Sequence, residues 1–212
     1  MNKALLIYKT LQRAYPRART ALNFKTPLDL LVATILSAQC TDKRINLVTA
    51  ELFKKYKTAK DYAKINPQKF EKEIRSTGFY KAKSKNIVNA ARMIVKDFKG
   101  EVPNNMEDLL KLSGVARKTA TVVLFNAFHK IEGITCDTHV IRLSQRLGLS
   151  KQKNAVKIEQ DLMKLFPKKD WGKLSYLLID HGRLICSAKK SKCSECVVKK
   201  LCPFFHLKAG TI

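Results

Sequence analysis

Acidic residues are scarce in this chain. Only 17 Asp and Glu stand against 42 Lys and Arg, for a formal charge of +25. That imbalance excludes a protein whose only partner is a small neutral metabolite. A surface this cationic attracts polyanions, and nucleic acid is the default partner. Long hydrophobic runs are missing as well: no window approaches the roughly 18 apolar residues a spanning helix needs. An anionic membrane surface would also attract the charge. The basic residues, however, are spread along the chain and form no single amphipathic segment. A secretory leader needs an apolar stretch of roughly 7–15 residues, and here Ala4-Leu5-Leu6-Ile7-Tyr8 is cut off by Lys9. A reducing compartment is expected. Strict apolar–polar alternation and low-complexity linkers are absent too, so strands are not needed.

What is present is helical spacing, in window after window. Leu28, Leu31, Val32, Ile35 and Leu36 form one stripe, started by Thr26 and Pro27. Ile87, Ala91, Ile94, Val95 and Phe98 form a second, stopped by Gly100 and Pro103. Ala120, Val123, Leu124 and Ala127 make a third, and Val140, Leu143 and Leu147 a fourth, ended by Gly148. The fifth runs through Trp171, Leu174, Leu178, His181 and Ile185. Shorter helices are expected at Asp42–Tyr56, Pro67–Ile74, Met106–Leu112 and Asn154–Phe166. An all-α fold follows, one unit with two lobes.

Four cysteines close the chain, as Cys186-x6-Cys193-x2-Cys196-x5-Cys202. In a reducing compartment such spacing reads as metal ligands or redox centres before disulfides. Zinc sites usually present two tight pairs. Here one tight pair is flanked by single cysteines, which suits a 4Fe–4S cube as well. Spacing alone leaves zinc and iron–sulfur both open. Cys40 and Cys136 read as small core residues.

Residues 112–121, Leu-Ser-Gly-Val-Ala-Arg-Lys-Thr-Ala-Thr, read as a helix end, a tight turn at Gly114 and a new helix from near Ala116. Free backbone N–H groups at such a start bind phosphate oxygen, and Arg117 and Lys118 add charge beside it. Lys118 also sits where the helix dipole and Arg117 both oppose an ammonium, which favours the neutral, nucleophilic amine. In so basic a chain most lysines are merely solvated; its place in the hairpin sets this one apart. Asp137, in Thr-Cys-Asp-Thr-His-Val, reads as an N-cap. That role is compatible with stabilising positive charge on a sugar or accepting a proton. His139 reads as a first-turn residue and not as a ligand.

Taken together, these pieces resemble the endonuclease III family, DNA glycosylases of the helix–hairpin–helix superfamily. The resemblance runs over nearly the whole chain. It includes Leu-Ser-Ala-Gln-Cys-Thr-Asp at 36–42, Thr-Gly-Phe-Tyr-Lys-Ala-Lys at 77–83, the hairpin, Cys-Asp-Thr-His at 136–139, His-Gly-Arg at 181–183 and the cysteine loop. It implies a six-helix barrel at 22–131 and an iron–sulfur lobe from 1–21 and 132–212. Cys186, Cys193, Cys196 and Cys202 would hold a 4Fe–4S cluster. The implied activity is bifunctional: a damaged, oxidised pyrimidine is flipped out of double-stranded DNA into the cleft between the lobes and removed. Lys118 would form a Schiff base at C1′ and β-elimination would cut the strand 3′ to the abasic site, with Asp137 as the catalytic carboxylate. Gly114, Ala116 and Arg117 would grip backbone phosphate. Gln39 would fill the gap left by the extruded base, and Phe79 would wedge into the stack. Lys189, Lys190 and Lys192, on the cysteine loop, would meet phosphate. The resemblance further implies a monomer in a prokaryotic cytoplasm, associated with the nucleoid, with no membrane partner.

Two hairpin positions depart from the family's Leu-Pro-Gly-Val-Gly, namely Ser113 and Ala116. Serine is expected to loosen the turn, and the alanine methyl to weaken phosphate contact. Competing readings are a pyrimidine-dimer or mismatch-specific glycosylase, an adenine glycosylase, and a non-catalytic iron–sulfur DNA-binding module. The last two leave Lys118 without a role.

Overall fold

The computed structural model describes residues 2–208, and among them no strand forms. In chain order the helices are α1 (Lys3–Ala14), α2 (Pro27–Leu36), α3 (Asp42–Lys55), α4 (Ala59–Lys64), α5 (Pro67–Ile74) and α6 (Tyr80–Asp97). Then come α7 (Met106–Lys111), α8 (Arg117–Phe128), α9 (Thr138–Arg146), α10 (Ala155–Leu165), α11 (Trp171–Leu184) and α12 (Pro203–Lys208). Two compact units result: Ala21–Glu132, and Met1–Thr20 together with Gly133–Ile212.

The first unit is built around α2. Pro27 sits at its first position, and Thr26 and Asp29 form a reciprocal capping box. From Asp29 to Leu36 every residue is buried. A helix enclosed on all sides belongs at the centre of a core, and α3, α6 and α8 pack around it. The long α6 buries Ile87, Val88, Ala91 and Ile94 on one face, and α4 and α5 lie against it. Tyr56, Tyr62 and Phe70 form an aromatic knot with ring centroids 5.3–6.0 Å apart.

In the second unit α11 is the central element. It buries Leu174, Leu177, Leu178 and His181 and packs against α1 and α9. Phe166 follows α10 and meets Tyr8 of α1 at 6.1 Å. Every helix expected from apolar spacing is present. The apolar stripes did not mark α1, α4 or α12; α4 and α12 are six residues long, less than two periods. The readable signal for α4 was its capping box, Thr58 with Asp61.

Candidate active site and cysteine loop

Between α7 and α8 the chain turns through Gly114 at φ +76°. That angle costs any L side chain about 1–2 kcal/mol. An added Cβ would also lie 2.7 Å from the Asn86 Cβ. Leu112 and Val115 are buried, which fixes the turn to the core while Gly114, Ala116, Arg117 and Lys118 stay exposed. Ala116 caps α8 without a side-chain hydrogen bond, the condition in which a helix start has backbone amides to offer an anion. The serine departs from expectation: the Ser113 hydroxyl donates to Asn86 Oδ1 at 3.1 Å. It ties the turn to α6 instead of loosening it. Ala116 has φ −91° and ψ 169°, extended backbone that suits alanine without strain. Gly114→Ala is expected to destabilise the protein by about 2 kcal/mol or more and to weaken DNA binding. A thermal melt and a titration with abasic duplex check this.

Lys118 is the second residue of α8. It is exposed and forms no hydrogen bond or ion pair with the described residues, so the amine is free to reach a bound molecule. In the other unit, Asp137 caps α9. Its Oδ1 accepts from the N–H groups of His139 at 2.8 Å and Val140 at 2.9 Å. Oδ2 has no hydrogen bond from the described residues, so the cap uses one oxygen and leaves the other available. His139 lies in the first turn as expected, with Arg142 Nη2 3.1 Å from its Nδ1.

Gln39 and Phe79 share an unusual backbone. Both lie in the left-handed region, at φ 54° and 48°, which is uncommon for a glutamine and an outlier for a bulky aromatic. Phe79 is 66% exposed, so it is not a core aromatic. The Gln39 side chain is exposed and caps no helix. Lys99 and His129 share the positive φ and the exposure, but they lie at the C-terminal ends of α6 and α8, where a left-handed residue is ordinary. Gln39 and Phe79 lie before α3 and α6 instead, which makes their strain a candidate sign of function. Phe79→Gly is expected to stabilise the protein by about 1 kcal/mol, because the strain goes and little packing is lost. A lower urea midpoint would overturn that expectation.

The four terminal cysteines surround one small cavity, lined also by Leu143, Leu147, His181, Ile185, Phe204 and Phe205. Burial raises the Cys196 and Cys202 thiols, and the other cysteines push the same way. The thiolates of Cys196 and Cys202 are therefore favoured here only beside a strong positive charge. Two arginines of α9 hold the loop: Arg142 donates to the Cys186 and Gly182 carbonyls. Arg146 donates to Cys186 Sγ at 3.3 Å and to the Ser187 and Ala188 carbonyls. His181 is buried, which pushes its pKa down to about 4 and keeps the ring neutral. Its Nδ1 lies 2.8 Å from the Tyr15 hydroxyl and its Nε2 3.4 Å from Cys196 Sγ. A neutral ring that accepts from Tyr15 donates its one N–H toward that sulfur. Lys189, Lys190 and Lys192 are exposed on the loop.

Several of these contacts escaped sequence reasoning. Asn86, Arg142, Arg146 and the Tyr15–His181 pair act through tertiary contacts that no spacing reveals. Cys40 and Cys136, expected as small core residues, are half-buried, and Cys40 packs against the core around α2. The local environment of Cys136 still pushes its thiol up to about 12, mainly through loss of solvent.

A hairpin whose second helix starts without a side-chain cap, beside an exposed lysine, belongs to a recognised class. Residues 32–168 match the HhH-GPD superfamily of base excision DNA repair proteins. Endonuclease III of Synechocystis sp. is 53% identical over 202 residues, covering 95% of this chain and 92% of that protein. Endonuclease III of Bacillus subtilis is 43% identical over 189 residues, 89% of this chain and 86% of the relative. A solved non-covalent endonuclease III–DNA complex superimposes with a TM-score of 0.92 at 37% identity, over 99% of both chains. A trapped endonuclease III–DNA covalent intermediate gives the same figures. The chain belongs to the endonuclease III family.

Proposed function

We infer that this protein is a bifunctional DNA glycosylase and abasic-site lyase of base excision repair, and that it removes oxidised pyrimidines. The observation that carries the reading is Lys118, exposed in the first turn of the hairpin helix and without a partner among the described residues. The neutral amine attacks C1′ of the flipped nucleotide, the glycosidic bond breaks and the base departs. A Schiff base between Lys118 and the opened sugar follows, and β-elimination cleaves the strand 3′ to the lesion. Asp137 stabilises the positive charge that develops on the sugar through its unused oxygen, or accepts the proton from the amine. Phosphate is held by the hairpin amides with Gly114, Ala116 and Arg117. Gln39 and Phe79 act in the stack, one as plug and the other as wedge.

The cysteine loop carries a 4Fe–4S cluster in this reading. An all-sulfur donor set is soft enough for iron–sulfur. The spacing of the four cysteines, one tight pair with single cysteines on either side, departs from the two tight pairs usual at zinc sites. Cys186, Cys193, Cys196 and Cys202 would hold the cluster, whose part would be structural: with the loop fixed, Lys189, Lys190 and Lys192 would meet DNA phosphate. No helix among the described residues is long and apolar enough to cross a membrane. The relatives named above come from bacteria, which supports a bacterial cytoplasm; a monomer at the nucleoid is part of the proposal.

Borohydride reduction of the cluster-loaded protein on a thymine-glycol duplex tests the reading. A covalent protein–DNA adduct is expected; its absence overturns the lyase. A preference for a pyrimidine-dimer duplex would redirect the substrate class. Ala116→Gly removes a methyl beside the phosphate site and is expected to tighten binding to abasic duplex. Unchanged affinity would show the methyl to be harmless.

A further inference from the structure

Lys83 is a buried lysine that the chemistry above does not use. It is only 4% exposed, although Lys81 and Lys85 beside it on α6 are exposed. Its ammonium donates to the Leu36 carbonyl at 2.7 Å and to the Thr77 carbonyl at 2.7 Å. Leu36 is the last residue of α2, where the negative end of the helix dipole favours a cation. Thr77 is itself 1% exposed, and its hydroxyl donates to the Ile74 carbonyl. Burial makes the charged form of Lys83 harder to hold and lowers its pKa. An ammonium taken out of water is retained only where its hydrogen bonds matter.

What those two carbonyls have in common is their place in the chain. Gln39 lies three residues beyond Leu36, and Phe79 two residues beyond Thr77. Lys83 therefore joins the roots of the two turns that carry the strained, exposed side chains. A plug and a wedge must enter one base step together. Two loops moving independently would each lose that second insertion; tied to one nitrogen, the second becomes intramolecular.

We propose that Lys83 is a positioning residue that ties the Gln39 and Phe79 turns into a single rigid probe of the DNA stack. This rests on the reading of Gln39 and Phe79 as stack-contacting residues. Removal of the ammonium leaves both side chains in place but lets their loops move separately.

A double-mutant cycle separates this role from a general structural one. Lys83→Met is made in the wild-type background and in Gln39→Ala/Phe79→Ala. Single-turnover excision from a thymine-glycol duplex is read alongside the fluorescence of 2-aminopurine placed opposite the lesion. In the wild-type background Lys83→Met is expected to slow excision by about ten-fold and to suppress the fluorescence rise. In the doubly substituted background it should slow excision by less than about two-fold, since the loops no longer have anything to insert. Equal losses in both backgrounds overturn the proposal. If Gln39→Ala/Phe79→Ala alone leaves excision and fluorescence unchanged, the reading of the loops fails, and the staple with it.

A measurement on the unmodified protein covers the case in which Lys83→Met does not fold. Amide hydrogen exchange in peptides spanning 37–41 and 77–80 should open at one common rate and slow together on abasic duplex. Two independent rates overturn the staple.

Discussion

Lys118→Gln is expected to eliminate the borohydride-trapped adduct and to lower excision by on the order of 10³-fold or more, the scale of losing a catalytic nucleophile. The size of the effect follows from where the amine stands. It is exposed, lacks a partner among the described residues, and sits on a helix whose buried face is made by Ala120, Thr121, Val123 and Leu124. Glutamine keeps most of the side chain's length and its polarity while removing the amine and its charge. Stability should therefore change by no more than about 0.5 kcal/mol, and binding to a non-cleavable abasic analogue should persist. A variant that still forms the adduct would move the nucleophile to another lysine. A variant that loses binding and melts early would show Lys118 to be structural, against its exposure.

Asp137→Asn should separate two roles that one side chain fills. Asparagine caps helices about as well as aspartate, and its amide oxygen can still accept from the His139 and Val140 N–H groups. The melting temperature should stay close to that of the wild type. The charge is lost, so excision should fall by roughly 10²- to 10³-fold, the scale of a lost electrostatic or general-base contribution. Asp137→Ala is the control: it loses the cap as well, at about 1 kcal/mol. If Asp137→Asn keeps full activity, Asp137 is a cap and nothing more. If it loses stability as Asp137→Ala does, the cap depends on charge and the separation fails.

The elements were legible because their signals are local. Thr26-Pro27 starts α2, Gly148 ends the α9 stripe, and apolar residues three and four apart mark each buried face. The hairpin was legible for the same reason, since the left-handed turn at 114 calls for glycine. The consequence of Ser113 was not legible. Proline or serine at that position reads as turn chemistry alone, and only the arrival of Asn86 from α6 shows the hydroxyl tying the turn to the core. Phe79 shows the same limit: sequence left it open between core and wedge, and its exposure and positive φ depend on the Gly78 turn.

By itself, then, the sequence determined the helical class, the attraction to a polyanion, the hairpin with its lysine, and the four soft ligands. Charge count, periodicity and short-range spacing carry all of these. Only the tertiary structure decided which polar groups are buried and what they hold. Lys83 is the clearest case. Its register, four residues before Ile87, sets it on the apolar face of α6, yet the lysines two residues to either side, Lys81 and Lys85, are exposed. A side chain's hydrogen-bond partners are set by whichever segments fold against it. For Lys83 those are the end of α2 and the Thr77 turn, and for the cysteine loop they are Arg142, Arg146 and His181.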